Sequence, residues 1–139
     1  MNLVIFIVVA FALFVGYDAW RAHQRLEIAT DWKGYKTMNY RLNGKNYRFL
    51  VADTQEKQTK GLMNVRSLKG VDGMIFVFRG QEERTFWNEN TLMDLDVYWL
   101  SEKKVVGQDF LPSVEKNKSI VVISSPPKVD TVIEIPRRS

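Results

Sequence analysis

The chain has 139 residues, a formal net charge of +4, 45% hydrophobic and 26% charged residues, and no cysteine. That length holds one domain and an appendage. The missing thiols exclude disulfides, thiolate catalysis and cysteine-ligated zinc, and the mild, dispersed positive charge lacks the clustered cationic face that nucleic-acid binding requires.

From Leu3 to Val15 no polar residue interrupts the sequence. A spanning helix needs a predominantly apolar run of about 18 residues or more. This run reaches that length by including Gly16, Tyr17, Asp18 and Trp20, two of which carry the amphipathic rings that collect at headgroup level. A cleaved signal peptide wants a basic start and a small-residue cleavage site. Met1-Asn2 offers no basic side chain, and "YDAWRAHQR" offers no such site. The expectation is a single N-terminal transmembrane helix, uncleaved. Residues 1–25 then form the anchor with its helical extension, 26–37 a polar linker, and 38–139 a β-rich domain. Arg21 and Arg25 follow the apolar run, which by the positive-inside rule favours a cytoplasmic domain.

The domain opens with "MNYRLNGKNYRFLVAD", a hairpin pattern in which Asn43-Gly44 supplies the positive φ angles of a two-residue turn. Asp53 or Thr54 then caps a short helix over about 55–61, with Glu56 at its positive end and Gly61 at its close. "GMIFVF" at 73–78 is a wholly apolar run that predicts a central strand buried on both faces. "ERTFW" at 83–87 is expected to pair with it through a turn around Arg79-Gly80-Gln81. "LDVYWL" and "KVVGQDFL" form the next hairpin, turning at "SEKK", with Leu95, Val97 and Trp99 on one face. "SIVVIS" and "TVIEIP" supply the last two strands. Short strands, frequent turns and one short helix predict a mainly β domain, a small antiparallel sandwich or a partly closed barrel.

"VADT" at 51–54, "GLM" at 61–63, "RSL" at 66–68, "GMIFVF" at 73–78, "FW" at 86–87, "NT" at 90–91 and "LDV" at 95–97 occur in one order. The ordered set resembles the prokaryotic family catalogued as domain of unknown function 192, over roughly residues 38–135. The resemblance implies a small β-rich sandwich, often behind a signal peptide or membrane anchor, with the domain exported. It implies no established reaction. It also sets an extracytoplasmic domain against the two-arginine bias, and the export habit is given the greater weight. Asn88 and Glu89 stand where the family usually has methionine and lysine, and Asp94 stands where it usually has proline.

The polar positions carried over are Arg66, Asn90, Thr91 and Asp96, with Trp87 as an aromatic wall. In a structural role, Asn90 and Thr91 close a turn through side-chain bonds to the backbone, and Asp96 bonds to nearby amides or pairs with Arg66. In a binding role, Arg66 grips a carboxylate or phosphate, Asn90, Thr91 and Asp96 bond hydroxyls, and Trp87, with Tyr98, supplies a platform for an envelope glycan or peptide. Glu89, Asp94 and Asp96 are the carboxylates that a hydrolase would use as an acid/base pair. The one histidine, His23, lies beside the anchor, so the body holds no seryl triad. The spacing of the three carboxylates matches no EF-hand-type loop. The sequence therefore points to a membrane-tethered, non-catalytic binding or accessory module at the cell envelope, with no cofactor, no metal and no nucleic acid. The alternatives are a carboxylate-dependent hydrolase of envelope glycan or peptide, and a purely structural domain supporting a protein partner.

Overall fold

A computed structural model describes Gly16, Ala19 and residues 32–138. The expected anchor, its extension and most of the linker lie outside the described residues. Among those described, no helix is long and apolar enough to cross a membrane. Residues 35–139 form one compact unit.

The first hairpin joins β1 (Lys36–Leu42) to β2 (Lys45–Ala52). Asn43 and Gly44 take φ of 48° and 82°, the left-handed pair that matches the twist of two antiparallel strands. Helix α1 (Gln55–Lys60) follows. The Thr54 hydroxyl accepts from the Lys57 amide at 3.3 Å, and the Gly61 amide donates back to the Lys57 carbonyl at 2.9 Å with φ of 48°. Gln58 fixes the helix to the sheet, since its amide nitrogen donates to the Ala52 and Val77 carbonyls at 3.3 and 2.8 Å.

After α1 the chain enters β3 (Gly73–Glu82), which runs parallel to β2. Here the structure departs from the expected antiparallel sandwich. A chain that crosses over through a helix returns in the same direction and pairs in parallel. The result is one mixed, six-stranded sheet in the order β1-β2-β3-β8-β5-β6, with β5 (Leu95–Ser101), β6 (Lys104–Leu111) and β8 (Val129–Pro136). The sheet is not a closed barrel. A separate two-stranded ribbon pairs β4 (Thr85–Trp87) with β7 (Val122–Ser124). The domain is thus mainly β, and it contains a second short helix, α2 (Val114–Asn117), beyond the single one expected.

The expected pairing of 83–87 with β3 does not form. β3 continues to Glu82, its register against β8 shifts between Val77 and Glu82, and the chain then turns away to β7. Arg84 ties this divergence together. Its guanidinium donates to the carbonyls of Gly80 (2.6 Å) and Val129 (3.2 Å), pairs with Glu82, and lies 4.0 Å from the centroid of the Phe78 ring. The β5–β6 hairpin turns at Glu102 and Lys103, with φ of 49° and 67°. Neither is glycine, and Asp130 holds the turn by accepting from the Glu102 amide at 2.9 Å.

Each face of the sheet builds its own core. On one face Leu42, Phe49, Val51, Ile75, Leu100 and Ile133 cluster, with Tyr40, Tyr47, Tyr98 and Ile135 packed on them. The sheet curls around this cluster far enough that Tyr40 on β1 donates to the Lys103 carbonyl at 3.5 Å, although three strands lie between β1 and β5. On the other face Met74, Phe76, Val97, Trp99 and Val132 are fully buried. Phe86 of the ribbon seals this face, edge-on to Phe76 (5.0 Å) and to Trp99 (5.5 Å), a geometry that adds to the area each ring buries. Trp99 fits because its cross-strand partner is Gly107. A Cβ there would stand 3.1 Å from the indole and 3.3 Å from Pro126. The indole nitrogen donates to Asp109 at 2.6 Å.

Candidate functional site

The polar segment after β4 is a turn built around a buried side chain. Asn88 is completely buried. Its amide nitrogen donates to the Pro112 carbonyl at 2.9 Å and its oxygen accepts from the Val121 amide at 2.7 Å. One side chain therefore joins β4 to the segments on both sides of α2. Asn90 follows at φ of 53°, a left-handed conformation that asparagine tolerates better than most residues. Its carbonyl accepts from the Asn64 amide at 2.8 Å. Thr91 is buried, bridges to Met63, and accepts from the Val114 amide at 2.9 Å. The sequence has Asn90 and Thr91 closing the turn through side-chain bonds; the bonds here run mainly through their backbone groups, with one side-chain bond from the Thr91 hydroxyl to the Glu89 carbonyl at 3.5 Å.

The five residues carried over do not converge on one ligand-sized space. Arg66 meets Glu115, not Asp96, in a two-pronged pair at 2.8 and 3.3 Å with both partners exposed. The Glu115 carboxylate holds the guanidinium further in its charged form. Asp96 instead accepts from Arg137 at 2.6 and 3.2 Å, and that guanidinium rests 4.3 Å from the Phe110 ring centroid. The departure at Asp94 has a clear role. Its carboxylate pairs with Lys116 and accepts from the Ser113 amide at 2.9 Å, and these contacts, Lys116 foremost, hold it below the usual carboxylate range. Arg66, Asp94 and Asp96 line a polar groove of about 630 Å³ with Tyr47 and Arg137. Trp87 and Thr91 belong to a different pocket, and Asn90 lines neither.

That second pocket, about 190 Å³, lies between α1 and β4 over the sheet. Leu62, Phe76, Phe78, Phe86 and Trp87 form its apolar walls, and Glu134 of β8 joins the lining. Trp87 is 42% exposed and stands at the rim, whereas Glu134 is 5% exposed. The register places Glu134 between Met74 of β3 and Val97 of β5, both fully buried. Among the described residues its carboxyl has no hydrogen bond and no ion pair. Burial among apolar neighbours disfavours the charged form and pushes its pKa up to about 8. At neutral pH the pocket therefore presents a carboxylic acid, a hydrogen-bond donor, at its base.

Sequence reasoning passed over Glu134. The available signal was the alternation in "TVIEIP", which puts Val132 and Glu134 on one face of a strand. A carboxyl at a position whose neighbours two residues away are core is the kind of buried polar group that calls for explanation.

Two solved structures share the fold. One is a protein of unknown function from Novosphingobium aromaticivorans, 23% identical, with a TM-score of 0.59 over 73% of each chain. The other, from Sinorhizobium meliloti and named only provisionally as a transcription regulator, is 21% identical, with a TM-score of 0.57 over 73% of this chain and 79% of that one. At such identities the likeness concerns the fold alone. No curated protein matches the chain. The family described as "Uncharacterized ACR", domain of unknown function 192, matches residues 38–139, which include most of β1, every later strand and both walls of the pocket, and the chain belongs to that family.

Proposed function

We propose that the protein is a membrane-tethered, non-catalytic binding module, and that it takes a small, mostly apolar group of its ligand into the pocket between α1 and β4. The observation that carries this is Glu134, a buried carboxyl without an internal partner, opening onto a space walled by four aromatic rings. Binding sites combine apolar walls with a few placed polar groups, and burying such a carboxyl costs stability that a structural role does not repay. Hydrolysis is supported less well. Glycoside cleavage requires two carboxyl groups, and Glu134 is the single one in the lining. Of the carboxylates considered from sequence, Asp94 and Asp96 are engaged by Lys116 and Arg137. The apolar run from Leu3 to Val15 supports the tether, and the export habit of the family supports an extracytoplasmic domain whose ligand comes from envelope glycan, peptide or a partner protein.

The test is a titration of the full chain in mild detergent with small aromatic and aliphatic fragments, read by NMR. Expected is a response at the Trp87 indole, with Trp87→Ala weakening binding by about tenfold while leaving the melting temperature unchanged. Fragments that gather in the groove beside Arg137, or that ignore both sites, refute the assignment. A C-terminal reporter active only in the cytoplasm refutes the envelope location.

A further inference from the structure

The rings of Phe76, Phe78, Phe86 and Trp87 surround the same space onto which Glu134 opens. Aromatic faces carry a negative quadrupole that attracts cations, most strongly where water is excluded. The Glu134 carboxyl, buried beside them and in no ion pair among the described residues, adds a second, independent preference for positive charge. Resting on the binding function proposed above, we infer that the group held in this pocket is a short alkylammonium, its N–H donors on Glu134 and its methylenes against the rings. The size agrees. A cavity of about 150 Å³ accepts benzene, so one of about 190 Å³ accommodates a chain of about six heavy atoms. A neutral alcohol of that length fills the space but offers the ionised Glu134 carboxylate no counter-charge.

The inference fixes a pH dependence. An alkylammonium keeps its proton to about pH 10.4, whereas burial raises the Glu134 pKa to about 8. Forming the pair near neutrality therefore expels one proton from Glu134. Of the elements packed around the carboxyl, α1 contributes one charged side chain to the lining, Lys60, whose ammonium lies 5.9 Å from the Tyr35 ring centroid. β3 and β5 present Met74 and Val97, and β4 presents Thr85, Phe86 and Trp87, none of which titrates. Glu134 thus governs the profile. Apparent affinity rises by about tenfold per pH unit up to about pH 8, then stays level until the amine itself loses its proton.

The experiment titrates the full chain in detergent with n-butylamine, Nα-acetyl-lysine methylamide and n-butanol between about pH 6 and about pH 9, with the Trp87 indole as reporter. Expected is that at least one amine binds about tenfold or more tighter than butanol at the upper end, that its affinity strengthens with pH as described, and that Glu134→Gln erases the preference. The stronger of the two amines tells a free amine from a lysyl side chain. Butanol binding as well as both amines, or amine affinity falling as pH rises toward 8, leaves the pocket as a binding site and overturns the ammonium inference. If no probe perturbs the Trp87 indole, the binding function and the inference fall together.

Discussion

Replacing Glu134 with glutamine removes a proton-binding group while keeping the shape of the side chain. The Glu134 carboxyl ionises at about 8 in the folded protein against 4.5 when solvated. Below the lower value it is protonated whether the chain is folded or not, and the native state keeps its full stability. As the pH rises toward 8 the unfolded chain releases this proton and the folded chain retains it, so unfolding becomes progressively more favourable. Above 8 both states are ionised and the loss is complete. At about 1.4 kcal/mol for each pH unit, the native state loses on the order of 5 kcal/mol across this range. That is a large share of the roughly 5–15 kcal/mol that holds a typical domain together. The glutamine variant has no such slope, and the other titrating groups, common to both proteins, cancel in the difference. Urea unfolding of both chains, followed by tryptophan fluorescence at steps from acid to mildly alkaline pH, gives that difference directly. The variant is expected to gain steadily on the wild type up to about pH 8 and then hold its advantage. A flat difference would refute the reasoning, because it would mean that Glu134 ionises normally in the native state.

Two further outcomes concern the contacts made around α2. Asn88→Ala removes the partner of the Val121 amide and of the Pro112 carbonyl, both in half-buried residues, each costing about 1–3 kcal/mol when left unpaired away from water, so the urea midpoint should fall, and an unchanged midpoint would remove Asn88 as the link between β4 and the α2 region. Arg66→Ala should leave the midpoint where it is, at low and high salt alike, because both members of its pair with Glu115 are solvated; a large loss would show that the pair is buried in solution.

What the sequence disclosed is what short-range physics decides. Asn43-Gly44 permits hardly any connection but a tight turn, and Thr54 with Gly61 brackets a helix whatever surrounds it. The β5–β6 turn was also legible, through the apolar alternation on either side of it, although its left-handed residues are Glu102 and Lys103 and the Glu102 amide donates to distant Asp130. Partner choice was not legible. Three residues at 85–87 carry too little pattern to say whether they extend β3 or pair with a segment almost forty positions later, and the choice is made by Phe86 packing between Phe76 and Trp99. The site was half legible for the same reason. Trp87 and Thr91 border the pocket, but the partners of Arg66 and Asp96 were set by where α2 and the C-terminal residues come to rest. Asn88, read as a mere departure from the family pattern, holds that whole segment in place.

The position of β8 in the sheet has a consequence for how the chain is made. β1, β2 and β3 can associate early, and so can β5 and β6, but the two halves have no direct contact along the ladder until Val129–Pro136 slides between β3 and β5. A nascent chain emerging from the ribosome carries two open, apolar strand borders until β8 has been made. Such borders invite pairing with neighbours, and closing the gap joins residues some sixty positions apart, a slow event for a small protein. The same final strand delivers Glu134, so the pocket acquires its acid only at the moment the sheet is sealed.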